Sequence, residues 1–120
     1  MSRSRQRAER GGRRAELMAA MLLRLKGYSI LARRHKTPSG EIDLVARRGR
    51  LLAFVEVKAR RNATAAIDAV AYGARQRIIR AAGLFLSRRP DLADCAVRYD
   101  IIAVAGWRLV HLRDAWREGE

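Results

Sequence analysis

The residue types that can do chemistry concentrate between Gly40 and Lys58, where GEIDLVA is followed by a basic turn and then FVEVKA. Side chains alternate along a strand, so Glu41, Asp43 and Val45 share one face, and Leu52, Phe54, Glu56 and Lys58 share a face of the next strand. With Arg48-Gly49 as a two-residue turn, Arg47 pairs with Arg50, Asp43 lies opposite Phe54 and Glu41 opposite Glu56. A three-residue loop would instead send the two sets to opposite faces. The remaining face, Ile42, Leu44, Ala46, Leu51, Ala53, Val55 and Val57, reads as core.

Carboxylates opposed across a sheet repel, and folding does not require them. A hard cation, Mg²⁺ or Mn²⁺, would remove the conflict, taking oxygens from Asp43, Glu56 and the Val57 carbonyl together with substrate phosphate and water. Lys58 would then orient or deprotonate an attacking water and offset phosphate charge. The competing reading is a surface salt-bridge cluster, with Lys58 paired to Glu56 and Glu41, which is worth little in stability.

These residues need a hairpin backed by helices. A helical pattern runs from Ala15 to Lys26 and stops at Gly27, Tyr28 to Arg34 suits a strand, and His35 to Gly40 reads as a loop. Strands Glu41–Arg47 and Leu51–Ala59 follow. Asn62 to Thr64 offers a helix start, and apolar residues from Ile67 to Phe85 recur at helical spacing up to Arg89-Pro90. Ala96–Val104 and Trp107–Leu112 form a second hairpin across Ala105-Gly106. The order (helix, three strands, helix, two strands) predicts a single α/β domain over 15–117, with a central mixed sheet flanked by helices. Residues 1–14 read as a flexible basic arm.

Composition narrows the partners. The chain has 120 residues, 49% of them hydrophobic, with 26 Lys+Arg against 12 Asp+Glu and a net charge of +14. That excess points to a polyanion, nucleic acid before an anionic membrane surface, although Arg can also simply fill solvated faces. The apolar run Leu17 to Leu23 is too short to span a bilayer, and no secretory signal is evident. Cys95 is the sole cysteine, which excludes a disulfide framework and fits a reducing cytoplasm.

The segments Gly40–Ala46 and Phe54–Arg60 closely resemble the YraN-type family of small bacterial proteins. The likeness extends from Gly12–Glu16 through Lys26–Arg33 and Arg75–Ile78 to Arg98–Ile102. That family looks like part of the PD-(D/E)xK nuclease superfamily, the restriction-endonuclease-like fold that also houses Holliday-junction resolvases. The resemblance implies metal binding by Asp43 and Glu56 and the catalytic lysine role for Lys58. It adds Glu16, matching an acidic residue that resolvase-like members carry on the first helix. By periodicity Glu16 lies opposite Leu17, Met21 and Leu25, away from the hairpin, where it would merely favour the helix's first turn. Resolvase-like members commonly work as dimers, so a homodimer is also implied. Ala15 stands where family members commonly carry Gly, and the Arg47–Arg50 turn is unusually basic.

Glu41 and Gln76 are candidates for site support, Gln76 because it lies opposite the apolar stripe of its helix. Arg33, Arg34, Lys36, Arg47, Arg48, Arg60, Arg61, Arg75 and Arg80 are candidates for holding nucleic-acid phosphates. The aromatics read mostly as core or edge fillers, His35 as a loop residue, His111 as a strand residue, Cys95 as inert and Asp100 as a buried structural carboxylate. The leading expectation is a Mg²⁺- or Mn²⁺-dependent endonuclease acting on DNA, plausibly branched. A nuclease-fold DNA-binding module without turnover and an Arg-rich ribonucleoprotein component stay open beside it.

Overall fold

A computed structural model describes residues 3–70 and 72–119, with side chains from Gly12 onward. Its elements are α1 (Arg3–Leu25), β1 (Ser29–Thr37), β2 (Gly40–Arg48), β3 (Leu51–Ala59), α2 (Ala63–Asp68), α3 (Tyr72–Ser87), a 3₁₀ turn (Pro90–Leu92), β4 (Ala96–Ala105) and β5 (Arg108–Trp116). The strands form one sheet in the order β1-β2-β3-β4-β5. Only β3 and β4 run parallel, and α2 and α3 make the crossover between them. The expected α/β class holds, and the arrangement is restriction-endonuclease-like.

Several boundaries differ from the sequence reading; the last strand, for one, runs from Arg108 to Trp116 rather than Trp107 to Leu112, so its hairpin turns at Gly106-Trp107 and not Ala105-Gly106. Helix α1 begins at Arg3, so residues 3–14 belong to a helix rather than to an arm. Arg, Gln, Ala and Glu are good helix formers and need no apolar stripe. Strand β1 continues to Thr37, whose hydroxyl accepts the amides of Ser39 and Gly40 and so closes a tight turn. The single helix expected after Asn62 is two. Asn62 caps α2 by accepting the Ala65 amide at 2.8 Å, and the Val70 carbonyl is taken by Arg75 Nε at 3.0 Å.

Both sheet faces are core. Ala15, Ala19, Ala20 and Leu23 of α1 pack on Leu44, Ala46, Ala53 and Val55, while Ile78, Ala81, Ala82 and Phe85 of α3 cover Val45, Leu52, Phe54 and Ile101. Helix α1 ends where the Tyr28 amide bonds the Leu23 carbonyl and the Gly27 amide the Arg24 carbonyl, with Tyr28 and Leu23 in one apolar cluster. No helix among the described residues is long and apolar enough to cross a membrane.

Asp100 is fully buried and ties α1's exit to β4 and β5. It accepts from Arg98 Nε and Nη2 at 2.8 and 2.7 Å, from the Asp114 amide at 3.0 Å and from His111 Nε2 at 2.7 Å. Lys26 Nζ sits 2.8 Å from His111 Nδ1, and an ammonium can only donate, so the imidazole proton is on Nε2. Arg98 also donates to the Tyr28 hydroxyl at 2.7 Å.

Burial pushes the Asp100 carboxyl up, but His111 and Arg98 outweigh it and hold the pKa at about 2, below the ordinary 3.8. Its contribution is therefore present above about pH 4 and is lost as pH falls through about 2. Asp100→Ala leaves the half-buried Arg98 guanidinium and the His111 imidazole without their shared acceptor and should cost about 3 kcal/mol in urea unfolding at pH 7. A loss below about 1 kcal/mol, the scale of an exposed pair, would contradict this account.

Candidate active site

The β2–β3 ladder runs from Leu44↔Val55 to Arg48↔Leu51, with partner numbers summing to 99. The turn is thus Gly49-Arg50, and Gly49 supplies the positive φ, +62°, that the first position of such a hairpin turn requires. The expected register placed the turn one residue earlier. The shift of two preserves faces but changes neighbours. Asp43, just past the last ladder pair, comes beside Glu56 instead of Phe54.

The ladder ends at Leu44. Beyond it the Val57 amide donates to the Asp43 carboxylate at 2.8 Å, a side chain standing where a backbone carbonyl would. A strand residue's N–H and C=O leave by the same edge, so the Val57 carbonyl also faces this gap. Alternation breaks here as well: Ile42 and Val45 pack in one core layer and Leu44 in the other. Across the pair, Arg34 has φ +51°, a conformation rare for a non-glycine residue. The single acidic face expected for Glu41, Asp43 and Val45 is therefore not formed. Val45 is core, and the acids gather only where β2 and β3 part.

Glu16 joins them. The narrow Ala15, Ala19 and Ala20 side of α1 meets the sheet, while Leu17, Met21 and Leu25 are exposed, the reverse of what bulk suggested. Small side chains let the helix come close, and this turns Glu16, only 8% exposed, inward. Arg34 Nε binds it at 2.8 Å. Glu16, Arg34, Lys36, Glu41, Asp43 and Val57, with Gly12 and Arg13, line a cavity of about 360 Å³. Arg13 was not anticipated; its spacing of three from Glu16 was the available signal.

The two central carboxyls are both pushed toward the neutral form. Burial raises both pKa values, and the Asp43 charge helps push Glu56 up to about 8. Lys58 Nζ, 3.3 Å from Glu56 Oε1, pulls the other way without winning. The Asp43 and Glu56 side chains lie within hydrogen-bonding reach of each other. Two hard carboxylates short of countercharge, with a backbone carbonyl beside them, make a donor set suited to Mg²⁺ or Mn²⁺. Among the described residues no three His, Cys, Asp or Glu side chains form a metal cage, so carbonyl, water or substrate oxygens would complete the shell.

The other candidates divide. Arg33 lies beside the cavity with Arg13 and Glu16, and Arg60 and Arg61 follow β3 at the carboxylate end. Arg47 and Arg48 lie at the far end of β2, where they bond the Gly49 and Lys26 carbonyls. Arg75 is half-buried, bonded to Val70 and set over the Trp116 ring at 5.5 Å. Arg80 is exposed on α3, and Gln76 is half-buried there without lining the cavity. His35 packs edge-on to Phe85 at 5.2 Å. Tyr28, Phe54, Phe85, Tyr99 and Trp116 are core as expected, whereas Tyr72 and Trp107 are exposed.

Fold and geometry together define a small restriction-endonuclease-like domain whose acidic centre sits at the open end of a parting strand pair. The model of the uncharacterised protein family UPF0102 matches residues 15–104. A UPF0102 protein of Paramagnetospirillum magneticum is 55% identical over 121 residues, covering 97% of this chain and 94% of that one. UPF0102 proteins of a Chelativorans species and of Mesorhizobium japonicum are 60% and 52% identical, covering 84% and 96% of this chain and 82% and 93% of theirs. The chain belongs to the UPF0102, or YraN, family.

A buried acid with a raised pKa favours folding while protonated, and that contribution fades as pH rises from about 4.5 to about 8. In metal-free buffer the melting temperature of Glu56→Gln relative to the native chain should therefore be higher at pH 9 than at pH 5. A difference independent of pH would show that the Glu56 charge carries no such penalty.

Proposed function

We propose that this chain is a metal-dependent phosphodiesterase that cleaves DNA, with branched or structured DNA as its substrate class. The supporting observation is the juxtaposition of the Asp43 and Glu56 carboxyls with Lys58, 3.3 Å from Glu56, at an open strand end bordered by Arg33, Arg34, Lys36, Arg60 and Arg61. Asp43, Glu56 and the Val57 carbonyl would hold Mg²⁺ or Mn²⁺, with Glu16 across the same cavity. When bound, such a cation polarises a phosphoryl oxygen and stabilises charge on the transferred group.

The remaining roles fall to the chain itself. The Val57 amide fixes the Asp43 carboxylate, so that oxygen needs no reorganisation. Lys58 orients the attacking water and offsets phosphate charge. Arg34 restrains Glu16. The cationic border holds the DNA backbone without reading sequence, so binding should weaken steeply with salt. A cytoplasmic setting suits the half-buried free thiol of Cys95.

A second reading, DNA binding without turnover, draws on the fact that Glu16 and Glu56 already have cationic partners in Arg34 and Lys58. Labelled duplex, flap, single-stranded and four-way-junction DNA, incubated with Mg²⁺, Mn²⁺ or EDTA, separates the two. Metal-dependent cleavage should fall by at least about 100-fold in Asp43→Ala and Lys58→Ala while binding survives. Binding without cleavage in any metal would assign the second reading.

A further inference from the structure

Hairpin β4–β5 turns at Gly106-Trp107, with Ala105 paired to Arg108. Gly106, at φ +63°, takes the strained first position, so Trp107 is not needed to make the turn. Yet Trp107 stands 82% exposed at the tip, whereas the chain's other tryptophan, Trp116, is 3% exposed. One ring face is occupied: the Arg14 guanidinium lies 4.3 Å from the ring centroid, and its Nη2 reaches the Gly106 carbonyl at 3.4 Å. The tip is braced for a partner that uses an aromatic face.

Its position says which partner. β4 runs parallel to β3, with Glu56 beside Ile101 and Lys58 beside Ala103, so the β4–β5 tip leaves the sheet at the carboxylate end. Three residues separate the Lys58 level from the turn, roughly 10 Å at strand rise. The Arg60 amide bonds the Val104 carbonyl at 3.1 Å and brings the Arg60-Arg61 segment alongside. Arg14 precedes Glu16 by two residues on α1, so one helix touches both the cavity and the ring. An exposed indole among guanidiniums meets the two demands of unpaired nucleic acid, a stacking face for a base and charge for its phosphates. A paired, stacked base offers no such face.

We propose that Trp107, braced by Arg14, is a stacking platform for an unpaired nucleobase next to the acidic centre, directing the chain to DNA with single-stranded or branched segments. The proposal deepens the phosphodiesterase reading and rests on it for the identity of the neighbouring centre. Trp107 is a binding residue and takes no part in bond breaking.

Tryptophan fluorescence tests it, with the full chain titrated in EDTA so that no probe is consumed. The probes are a single-stranded oligonucleotide, the same backbone with abasic positions, and a blunt duplex. The single strand should quench the exposed indole, and the abasic strand should not. Trp107→Ala should bind the single strand about 5- to 100-fold more weakly, Trp107→Phe should fall between, and duplex affinity should stay within about twofold.

Equal quenching by the abasic strand, no binding by the native chain, or unchanged affinity of Trp107→Ala with native circular dichroism would overturn the proposal. Metal-dependent cleavage alongside unchanged affinity would remove the platform alone. Base-dependent quenching without cleavage in any metal would support the platform and remove the phosphodiesterase reading.

Discussion

The hydrogen bond from the Val57 amide to the Asp43 carboxylate is the contact around which the rest is arranged. At that point β2 and β3 must part, and a parting pair of strands leaves half-buried backbone groups unmatched, a cost comparable to a lost hydrogen bond for each. Asp43 satisfies one of them and is itself fixed. The same choice carries a penalty, because the fixed carboxylate lies beside that of Glu56 where burial already disfavours charge. The Glu56 pKa, raised to about 8, expresses that conflict in the free chain.

Much of this was legible in the residues. Alternation in EIDLVA and FVEVKA gave the hairpin and its two core layers from Leu44 to Val55, because a two-residue slip preserves parity, and it brought Asp43, Glu56 and Lys58 to the same end of that hairpin. The exact partners were not legible. Both Arg48-Gly49 and Gly49-Arg50 are acceptable two-residue turns, and because either keeps Val45 and Leu52 under α3 and Leu44 and Val55 under α1, the hydrophobic pattern does not discriminate them. Glu16 was misread for a related reason. A stripe of Leu17, Met21 and Leu25 looks like the buried side of a helix, but close approach to a sheet favours the Ala side. The break in alternation at Arg34 and Asp43 has no sequence signature, since Arg is not a residue that advertises positive φ.

Charge also reads differently once it is placed in space. The net +14 suggests a uniformly cationic surface, yet several guanidiniums are engaged internally. Arg98 clamps Asp100, Arg75 covers Trp116 and Arg48 covers Tyr28 at 4.5 Å. Those set their planes against a carboxylate or a ring, Arg48 while still exposed, a use for which arginine suits better than lysine. Pairing with a carboxylate offsets the charge of Arg98 whereas stacking on a ring leaves that of Arg75 and Arg48, and Arg60 and Arg61 at β3's exit lie where Lys58 also points toward its acidic partner.

The parallel pairing of β3 with β4 sets the order in which these groups can meet. Asp43 and Val57 are 14 residues apart and belong to one hairpin, whereas Leu51 and Ala96 must close a loop about three times longer, at an added entropic cost of about 1 kcal/mol. The repelling acids are thus brought together by the most local part of the chain, and the Trp107 tip arrives only with the non-local step. Burial, the larger cause of the raised Glu56 pKa, arrives only when α1 and β4 close over the hairpin, so the charge conflict belongs to the late, non-local stage of assembly rather than to the hairpin itself.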